Sequence, residues 1–179
     1  MTDSAPAPTS YPHRFEREVW LGADCTPAFA YLDDPARLAG HMRQSSWRMG
    51  GGSMHFELDA QRGQAVGSHI LLRGSVLGMP LFVDEVVLTH EPPHGKVWET
   101  VDRPRLLVIS AYRMGFELAP AGTGCRLVLF IDYALPTGIF SQWLGRWIGP
   151  YYARWCINRM SDDALAAFPV RGAEPNTDT

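Results

Sequence analysis

Residues 127–168 read LVLFIDYALPTGIFSQWLGRWIGPYYARWCINRMSDDALAAF, and this stretch decides the fold. In its first nine residues, every second residue is a large apolar or aromatic one, as expected for a strand. Leu127, Leu129, Ile131, Tyr133 and Leu135 share one face, opposite Arg126, Val128, Phe130 and Asp132. After the break at Pro136-Thr137-Gly138, the remaining residues predict the longest helix of the chain. A sheet that precedes such a helix must bury its apolar face against it.

The C-terminal helix is predicted from the spacing of its apolar residues. They recur at intervals of three and four from Ile139 onward, as expected for one face of a helix. Gly149-Pro150 interrupts the pattern, and we expect a break or kink there because proline lacks the donor for a helical hydrogen bond. A second stretch then runs from Pro150 to Phe168.

Upstream of this region, further strand-like runs are separated by glycine- and proline-containing turns, which favours a continuous antiparallel meander. Together with the last strand they begin and end at about His13–Gly22, Met54–Asp59, Ser68–Leu77, Leu81–His90, Val97–Val101, Leu106–Leu118 and Arg126–Leu135. Arg103-Pro104 is interpreted as a turn between the fifth and sixth of them.

Two short helices are predicted between the first and second strands. Thr26 suits an N-cap and Pro27 the first helical position, and Asp34-Pro35 repeats this start signal for a helix that ends at about Met42. The sequence therefore predicts an α+β fold in which a curved antiparallel sheet of about seven strands wraps around the long C-terminal helix. The space between sheet and helix is the natural place for a functional site.

Composition places the chain among ordinary globular proteins. Its 179 residues suit one domain, predicted at 13–168, with a disordered leader at 1–12 and a disordered tail at 169–179. The formal charge of −3, from 16 basic and 19 acidic residues, offers no basic stripe for nucleic acid. No segment has the length of a membrane span or the pattern of a signal peptide. Three widely separated cysteines fit reduced thiols, and the expected location is the cytoplasm.

Several segments carry a resemblance to a known family. They are Thr26-Pro-Ala-Phe-Ala-Tyr-Leu-Asp-Asp-Pro35, Glu91-Pro92-Pro93, Tyr112-x-x-x-Phe116-Glu117-Leu118 and Gly124-Cys125-Arg126-Leu127. Over roughly His13 to Phe168 the chain resembles the helix-grip fold of the START/Bet v 1-like (SRPBCC) superfamily, and most closely its polyketide cyclase/dehydrase and lipid-transport branch. The resemblance implies a cavity for a hydrophobic ligand. Since this superfamily includes carriers, cyclases and hormone receptors, the function stays open.

Catalytic motifs are absent from the sequence. It contains no glycine-rich phosphate loop, no HExxH and no CxxC pair, and its six histidines lack metal-ligand spacing. No metal, cofactor or catalytic residue is therefore assigned. Cys25 is interpreted as a small residue in a turn and Cys156 as a packing residue of the helix.

Candidate ligand-binding residues come from the faces expected to point inward. They are Met54, Phe56, Val108, Ser110, Tyr112, Met114, Phe116, Leu129, Ile131, Tyr133 and Trp155. A hydroxyl buried among apolar side chains needs a partner, which could be a ligand, a water or a backbone carbonyl. The strands at 68–77 and 81–90 are apolar on both faces. An inward Glu85 or Glu99 would be a candidate acid or base, but we expect both to face solvent.

The aromatic run Phe140, Trp143, Trp147, Tyr151 and Trp155 is expected to cover the mouth of the sheet and line one wall of the cavity; the alternative is an exposed patch. The first functional hypothesis is a carrier or sensor of a lipid, isoprenoid or polyketide-like molecule. The second is a polyketide cyclase or aromatase in which Tyr112 and Tyr133 polarise carbonyls. The third is a protein- or membrane-interaction module that uses Trp143 and Trp147. Oligomeric state and peripheral membrane contact stay open.

Overall fold

The computed structural model of the chain describes residues 10–38, 54–76, 79–105, 109–136 and 139–170. Within them, seven strands and three helices follow one another along the chain. They are β1 His13–Leu21, α1 Cys25–Leu32, α2 Pro35–Leu38, β2 Met54–Leu58, β3 His69–Val76, β4 Met79–Glu91, β5 Gly95–Arg105, β6 Ala111–Ala121, β7 Gly124–Ala134 and α3 Ile139–Ala167.

All seven strands form one antiparallel sheet, in the order β1-β7-β6-β5-β4-β3-β2. From β2 to β7, neighbours in the chain are also neighbours in the sheet, as predicted for a meander. β1 is the exception, because it crosses to the far edge and pairs with β7. The predicted antiparallel sheet with a C-terminal helix and two short helices is confirmed.

The inward face of the sheet follows the alternation predicted for β6 and β7. Paired residues of the two strands share this face and are buried, namely Tyr112 with Tyr133, Met114 with Ile131, Phe116 with Leu129, and Leu118 with Leu127. Helix α3 packs against β1 and β7, and small or apolar residues at helical spacing form its buried side: Ala153, Ile157, Met160 and Ala164. Helix and sheet therefore enclose one hydrophobic core.

Polar contacts fix α3 along β1. Arg17 donates from Nη1 to the Asn158 carbonyl at 3.1 Å and to Asp162 Oδ1 at 2.8 Å. Beyond the helix, the Gly22 amide donates to the Phe168 carbonyl at 3.0 Å. The end of β1 is thus held against the end of α3.

The boundaries of several elements differ from the predictions. Helix α1 begins at Cys25 with Asp24 as its N-cap, so the predicted cap Thr26 lies within the first turn. Proline is tolerated in that turn, where amides have no helical partner. Helix α2 begins at Pro35 as predicted, and its predicted end at Met42 lies outside the described residues.

Two predicted breaks are wrong. Helix α3 continues through Pro150, so the chain does not leave the helix there, and the alternative of a kink at this position stays a prediction. Strand β5 continues through Arg103-Pro104 to Arg105, and β6 begins only at Ala111. A proline can occupy a strand position that does not require its N–H.

No helix of the described part is long and apolar enough to cross a membrane. The proposed leader and tail stay predictions. Within the described end of the proposed leader, the Tyr11 hydroxyl donates to Glu99 Oε2 at 3.2 Å and the Arg113 guanidinium lies over the Tyr11 ring.

Candidate functional site

Glu85 lies on the inward face of β4. It pairs with Ile70 of β3 and Thr100 of β5, and it is only 7% exposed. Val83 and Val87, two positions away on either side, are buried on the same face. The expectation that Glu85 faces solvent is therefore wrong. Register shifts on both sides of it, between Phe82/Asp84 and Val87/Thr89, interrupt the pairing of β4 with β5.

Glu99 lies on the opposite face of the sheet, as expected. It pairs with Arg113 in the register between β5 and β6 and accepts the hydrogen bond from Tyr11. Of the two glutamates Glu85 and Glu99, Glu85 is therefore the one on the concave face.

The partner of Glu85 is Tyr112, whose hydroxyl donates to Glu85 Oε1. Both side chains are buried. Thr100 positions Tyr112 just beyond the last paired residues of β5 and β6. Its Oγ1 accepts from the Tyr112 amide at 3.2 Å and lies 3.3 Å from the Tyr112 carbonyl, to which it donates. A threonine side chain therefore continues the contact between the strands at the point where Tyr112 faces Glu85.

Burial sets the protonation of this pair. Desolvation raises the pKa of Glu85 from 4.5 to about 7, although the hydrogen bond from Tyr112 and the charge of Lys96 both favour the ionised form. Burial, together with the nearby Glu85 charge, raises the pKa of Tyr112 well above its usual value. Near neutral pH the carboxyl is thus divided between its two forms, whereas the phenol keeps its proton. Such a pair can both donate and accept a proton.

Helix α3 faces the pair with Tyr152 and Cys156, which are one helical turn apart. Burial raises the pKa of the Cys156 thiol to about 12, and the charge of Glu85 adds to this effect. Burial likewise raises the pKa of Tyr152. Both groups are therefore neutral near Glu85. Trp98 and Met114, paired neighbours in β5 and β6, are buried on the same face of the sheet.

A second buried polar cluster joins the bend after α1 to strands β4 and β5. Lys96, 1% exposed, donates from Nζ to Asp33 Oδ1 at 2.7 Å. His90 Nε2 lies 3.0 Å from the other carboxylate oxygen of Asp33. Burial lowers the pKa of Lys96, and Asp33 opposes that effect. Since each charge has a partner within hydrogen-bond distance, this cluster serves to hold α1 against the sheet.

The predicted ligand-binding residues occupy different places in the structure. Tyr112 belongs to the pair with Glu85. The apolar candidates on β6 and β7 are buried on the concave face: Met114, Phe116, Leu129 and Ile131. Ser110 lies in a bend before β6 and donates to the Leu135 carbonyl at 3.2 Å. Tyr133 is buried and stacks on His13 of β1, with ring centroids 5.2 Å apart.

The remaining candidates lie at the edge of the described structure or on its surface. Met54 and Phe56 belong to β2, but their side chains lie outside the described residues, as do Val108 and the side chain of Trp143. Trp155 is half-buried and borders a groove of about 670 Å³ on α3.

Two aromatic residues of α3 are exposed rather than turned toward the sheet. Trp147 is 74% exposed and Tyr151 is 70% exposed. For these two residues, the expectation that the aromatic run lines the cavity wall is wrong, because they lie on the side of the helix opposite Ala153 and Ile157. Among the residues that the structure describes, no group of three His, Cys, Asp or Glu side chains could hold a metal ion.

Comparisons with known proteins identify the fold. No protein-family model matches the chain, and no curated protein matches it either. Among solved structures, a norcoclaurine synthase of Thalictrum flavum is 16% identical, with a TM-score of 0.59 over 87% of this chain and 92% of that chain. Ginseng major latex-like protein 151 from Panax ginseng is 12% identical, with a TM-score of 0.57 over 88% of this chain and 97% of that chain. The chain has the helix-grip fold that these structures share.

A third solved structure has the same fold. The di-domain ARO/CYC StfQ of the steffimycin biosynthetic pathway is 14% identical, with a TM-score of 0.56 over 87% of this chain and 49% of that chain. The predicted resemblance to the START/Bet v 1-like superfamily is thereby confirmed. At such identities, what the helix-grip protein shares with these structures is the fold alone.

Proposed function

We propose that this helix-grip protein binds a hydrophobic small molecule between the concave face of the sheet and α3, with Glu85 and Tyr112 as its polar anchor. One observation carries the proposal: the carboxyl group of Glu85 is buried on the concave face with neutral groups, not a cation, as its hydrogen-bond partners, and the Tyr112 phenol is the first of them. Strongly perturbed groups of this kind concentrate at functional sites. Ligand pockets, in turn, combine apolar walls with a few polar groups.

The chemistry of the anchor restricts the ligand. Near neutral pH, the protonated fraction of Glu85 can donate to a carbonyl or hydroxyl oxygen, and Tyr112 can donate its single proton there in place of the hydrogen bond to Glu85. A carboxylate placed beside Glu85 would bring two like charges together away from water, which is unfavourable. We therefore expect a neutral oxygenated lipid, isoprenoid or polyketide-like molecule to bind better than a fatty acid.

A matched pair of fluorescent probes tests this proposal. The purified protein is titrated with a fatty alcohol and with the fatty acid of the same chain length, and the alcohol is expected to bind more tightly. Tyr112→Phe should weaken binding of the alcohol by about 2-fold to 12-fold, the equivalent of one neutral hydrogen bond worth about 0.5–1.5 kcal/mol.

Tyr133→Phe is the matched control, because this tyrosine is also buried on the inward face but stacks on His13. It should leave the affinity unchanged. Organic extraction of the purified protein followed by mass spectrometry would identify a ligand that copurifies. Failure of both probes to bind, with no extracted molecule, would contradict the proposed function.

The protonation state of Glu85 favours a second candidate function, an enzyme that moves a proton next to a carbonyl group. A general acid or base works best when its pKa is close to the working pH, and the pKa of Glu85 is about 7. In this scheme the Glu85 carboxylate removes a proton from the carbon beside a ligand carbonyl, and the Tyr112 hydroxyl exchanges its hydrogen bond to Glu85 for one to the developing oxyanion.

Deuterium exchange separates this enzyme from a carrier. A hydrophobic β-diketone incubated with the protein in deuterated water should exchange its acidic C–H protons faster than in buffer. Glu85→Gln should abolish the acceleration, and Tyr112→Phe should reduce it by at least about tenfold, because the hydrogen bond matters most in the transition state. Tight binding of the diketone without accelerated exchange would leave the carrier as the function. For either function, the proposed location is the cytoplasm.

A further inference from the structure

Two cysteines that the sequence keeps 100 positions apart meet inside the protein. Cys25 Sγ and Cys125 Sγ are 2.7 Å apart, and the two residues are 8% and 1% exposed. Both are free thiols. The sequence suggested separate cysteines because neither neighbourhood contains a CxxC motif. Their contact is a product of the fold.

The chain brings the two thiols together through the pairing of β1 with β7. Leu21, the last residue of β1, pairs with Cys125 at the start of β7. A short turn then leads into α1, whose first residue is Cys25. A side chain at Gly124 would collide with the Leu21 carbonyl, and one at Gly22 would collide with the Pro169 carbonyl. Close packing on both sides thus confines the backbone that carries the sulfurs.

We propose that Cys25 and Cys125 are a redox-responsive modification site that forms a reversible disulfide between α1 and β7. The oxidant is a small disulfide such as oxidised glutathione. The Cys25 thiolate attacks one of its sulfurs, and a mixed disulfide forms as one glutathione thiolate leaves. The Cys125 thiol then gives its proton to the released glutathione thiolate and attacks the Cys25 sulfur, which displaces the second glutathione thiolate; this thiolate takes up the proton that Cys25 released on ionisation. Two protein thiols are oxidised as one glutathione disulfide is reduced to two thiols.

The order of these steps follows from the surroundings of the two thiols. Burial raises the pKa of Cys125 to about 12, and the neighbouring Cys25 and the charge of Asp24 act in the same direction. Thiolate is the reactive form. Cys25, the more exposed of the two, is therefore the sulfur that reacts first with an external disulfide.

The Cys25–Cys125 disulfide would hold helix α1 in place against the hydrophobic core. Helix α1 carries Phe29, whose ring packs edge-on against Phe116 with centroids 5.5 Å apart. The helix is followed directly by Asp33, which binds Lys96. A covalent link at the first residue of α1 therefore adds to contacts at its other end. Because it joins residues 100 positions apart, it should raise the thermal midpoint by on the order of 10 °C.

The test uses the full chain, equilibrated with oxidised glutathione and, in parallel, refolded from denaturant in a glutathione redox buffer. The expected product has one alkylatable thiol instead of three, a mass lower by two hydrogen atoms, and a linked peptide that contains Cys25 and Cys125. Dithiothreitol should reverse all three changes. The Cys156→Ser control should still form the bond, since that thiol lies on α3 beside Met160, whereas Cys25→Ser should not.

Three results would overturn the proposal. One is a protein that keeps every thiol after refolding in the oxidising buffer. Another is a linked peptide that contains Cys156. The third is a stable glutathione adduct on Cys25 that never closes onto Cys125. Because the wild-type chain itself gives the answer, the test does not depend on any variant that might lose its fold.

Discussion

Glu85→Gln preserves the shape of the Glu85 side chain and removes its ability to ionise. The carbonyl oxygen of the amide can still accept the hydrogen bond from Tyr112. In the wild-type protein, burial raises the pKa of Glu85 from 4.5 to about 7. A pKa difference of about 2.5, at about 1.36 kcal/mol for each pH unit, corresponds to about 3 kcal/mol of stability.

The sign of the effect follows from proton binding. Between about pH 4.5 and about pH 7, the folded state of the wild type holds a proton on Glu85 that the unfolded state has released. Stability from this group is therefore fully present below about pH 4.5 and is lost as the pH rises through about 7. The glutamine variant has no such dependence. Relative to the variant, the wild type should lose about 3 kcal/mol over this range.

Urea unfolding at several values from about pH 5 to about pH 8 measures the difference. The comparison is between wild type, Glu85→Gln and Glu117→Gln. Glu117 is an exposed glutamate of β6, so its replacement should give the wild-type pH dependence. A stability difference between wild type and Glu85→Gln that stays constant across the range would refute the buried, proton-binding carboxyl.

The remaining predictions concern Tyr112, Lys96 and Met114. Tyr112→Phe should raise the pKa of Glu85 further, because the lost hydrogen bond favours the ionised form, so the pH-dependent loss of stability should move to higher pH; an unmoved profile contradicts this. Lys96→Met should lower the free energy of unfolding by about 3–5 kcal/mol, because it leaves Asp33 buried without its cation. Arg126→Met removes an exposed ion pair and should cost less than about 1 kcal/mol in the same urea titration. Met114→Trp should weaken uptake of the fatty-alcohol probe with little change in thermal midpoint; overpacking of a solid core would instead cost about 1–3 kcal/mol with uptake unchanged.

Alternation along the last two strands was enough to predict the inward face of the sheet. The inward residues of these strands are buried, namely Met114, Phe116, Leu129 and Ile131. The residues that alternate with them along each strand include charged side chains, which favour the opposite face of the sheet. A period of two leaves a single register when one face is polar. The helix-grip order of elements could be predicted because one long segment with helical spacing of apolar residues follows the last strand.

Glu85 could not be placed from the sequence because its strand lacks such a contrast. Val83 and Val87 face inward while Phe82 and Leu88 face outward, so both faces are apolar. The orientation of Glu85 could also not be predicted from its distance to the turn before β5, because register shifts flank it on both sides. Glu85 alternates in step with Val83 and Val87, but the sequence does not show whether these valines face the core or solvent.

Other misses involve residues far apart in the sequence. The contact of Cys25 with Cys125 depends on the β1–β7 pairing. The burial of Lys96 depends on Asp33, which approaches from the bend after α1. A lysine alone predicts exposure, and only the partner supplied by the fold reverses that expectation.

The two buried carboxylates on the inner side of the sheet differ in a way that supports the proposed site. Asp33 is held by Lys96 at 2.7 Å and lies 3.0 Å from His90 Nε2, so its charge is compensated where it stands. Glu85 has neutral hydrogen-bond partners, Tyr112 and Trp98, and interacts with Lys96 only through its charge. Burying a carboxyl group without a cation beside it costs free energy that an apolar residue at position 85 would not cost. In the proposed site, a bound molecule would supply Glu85 with a further polar partner.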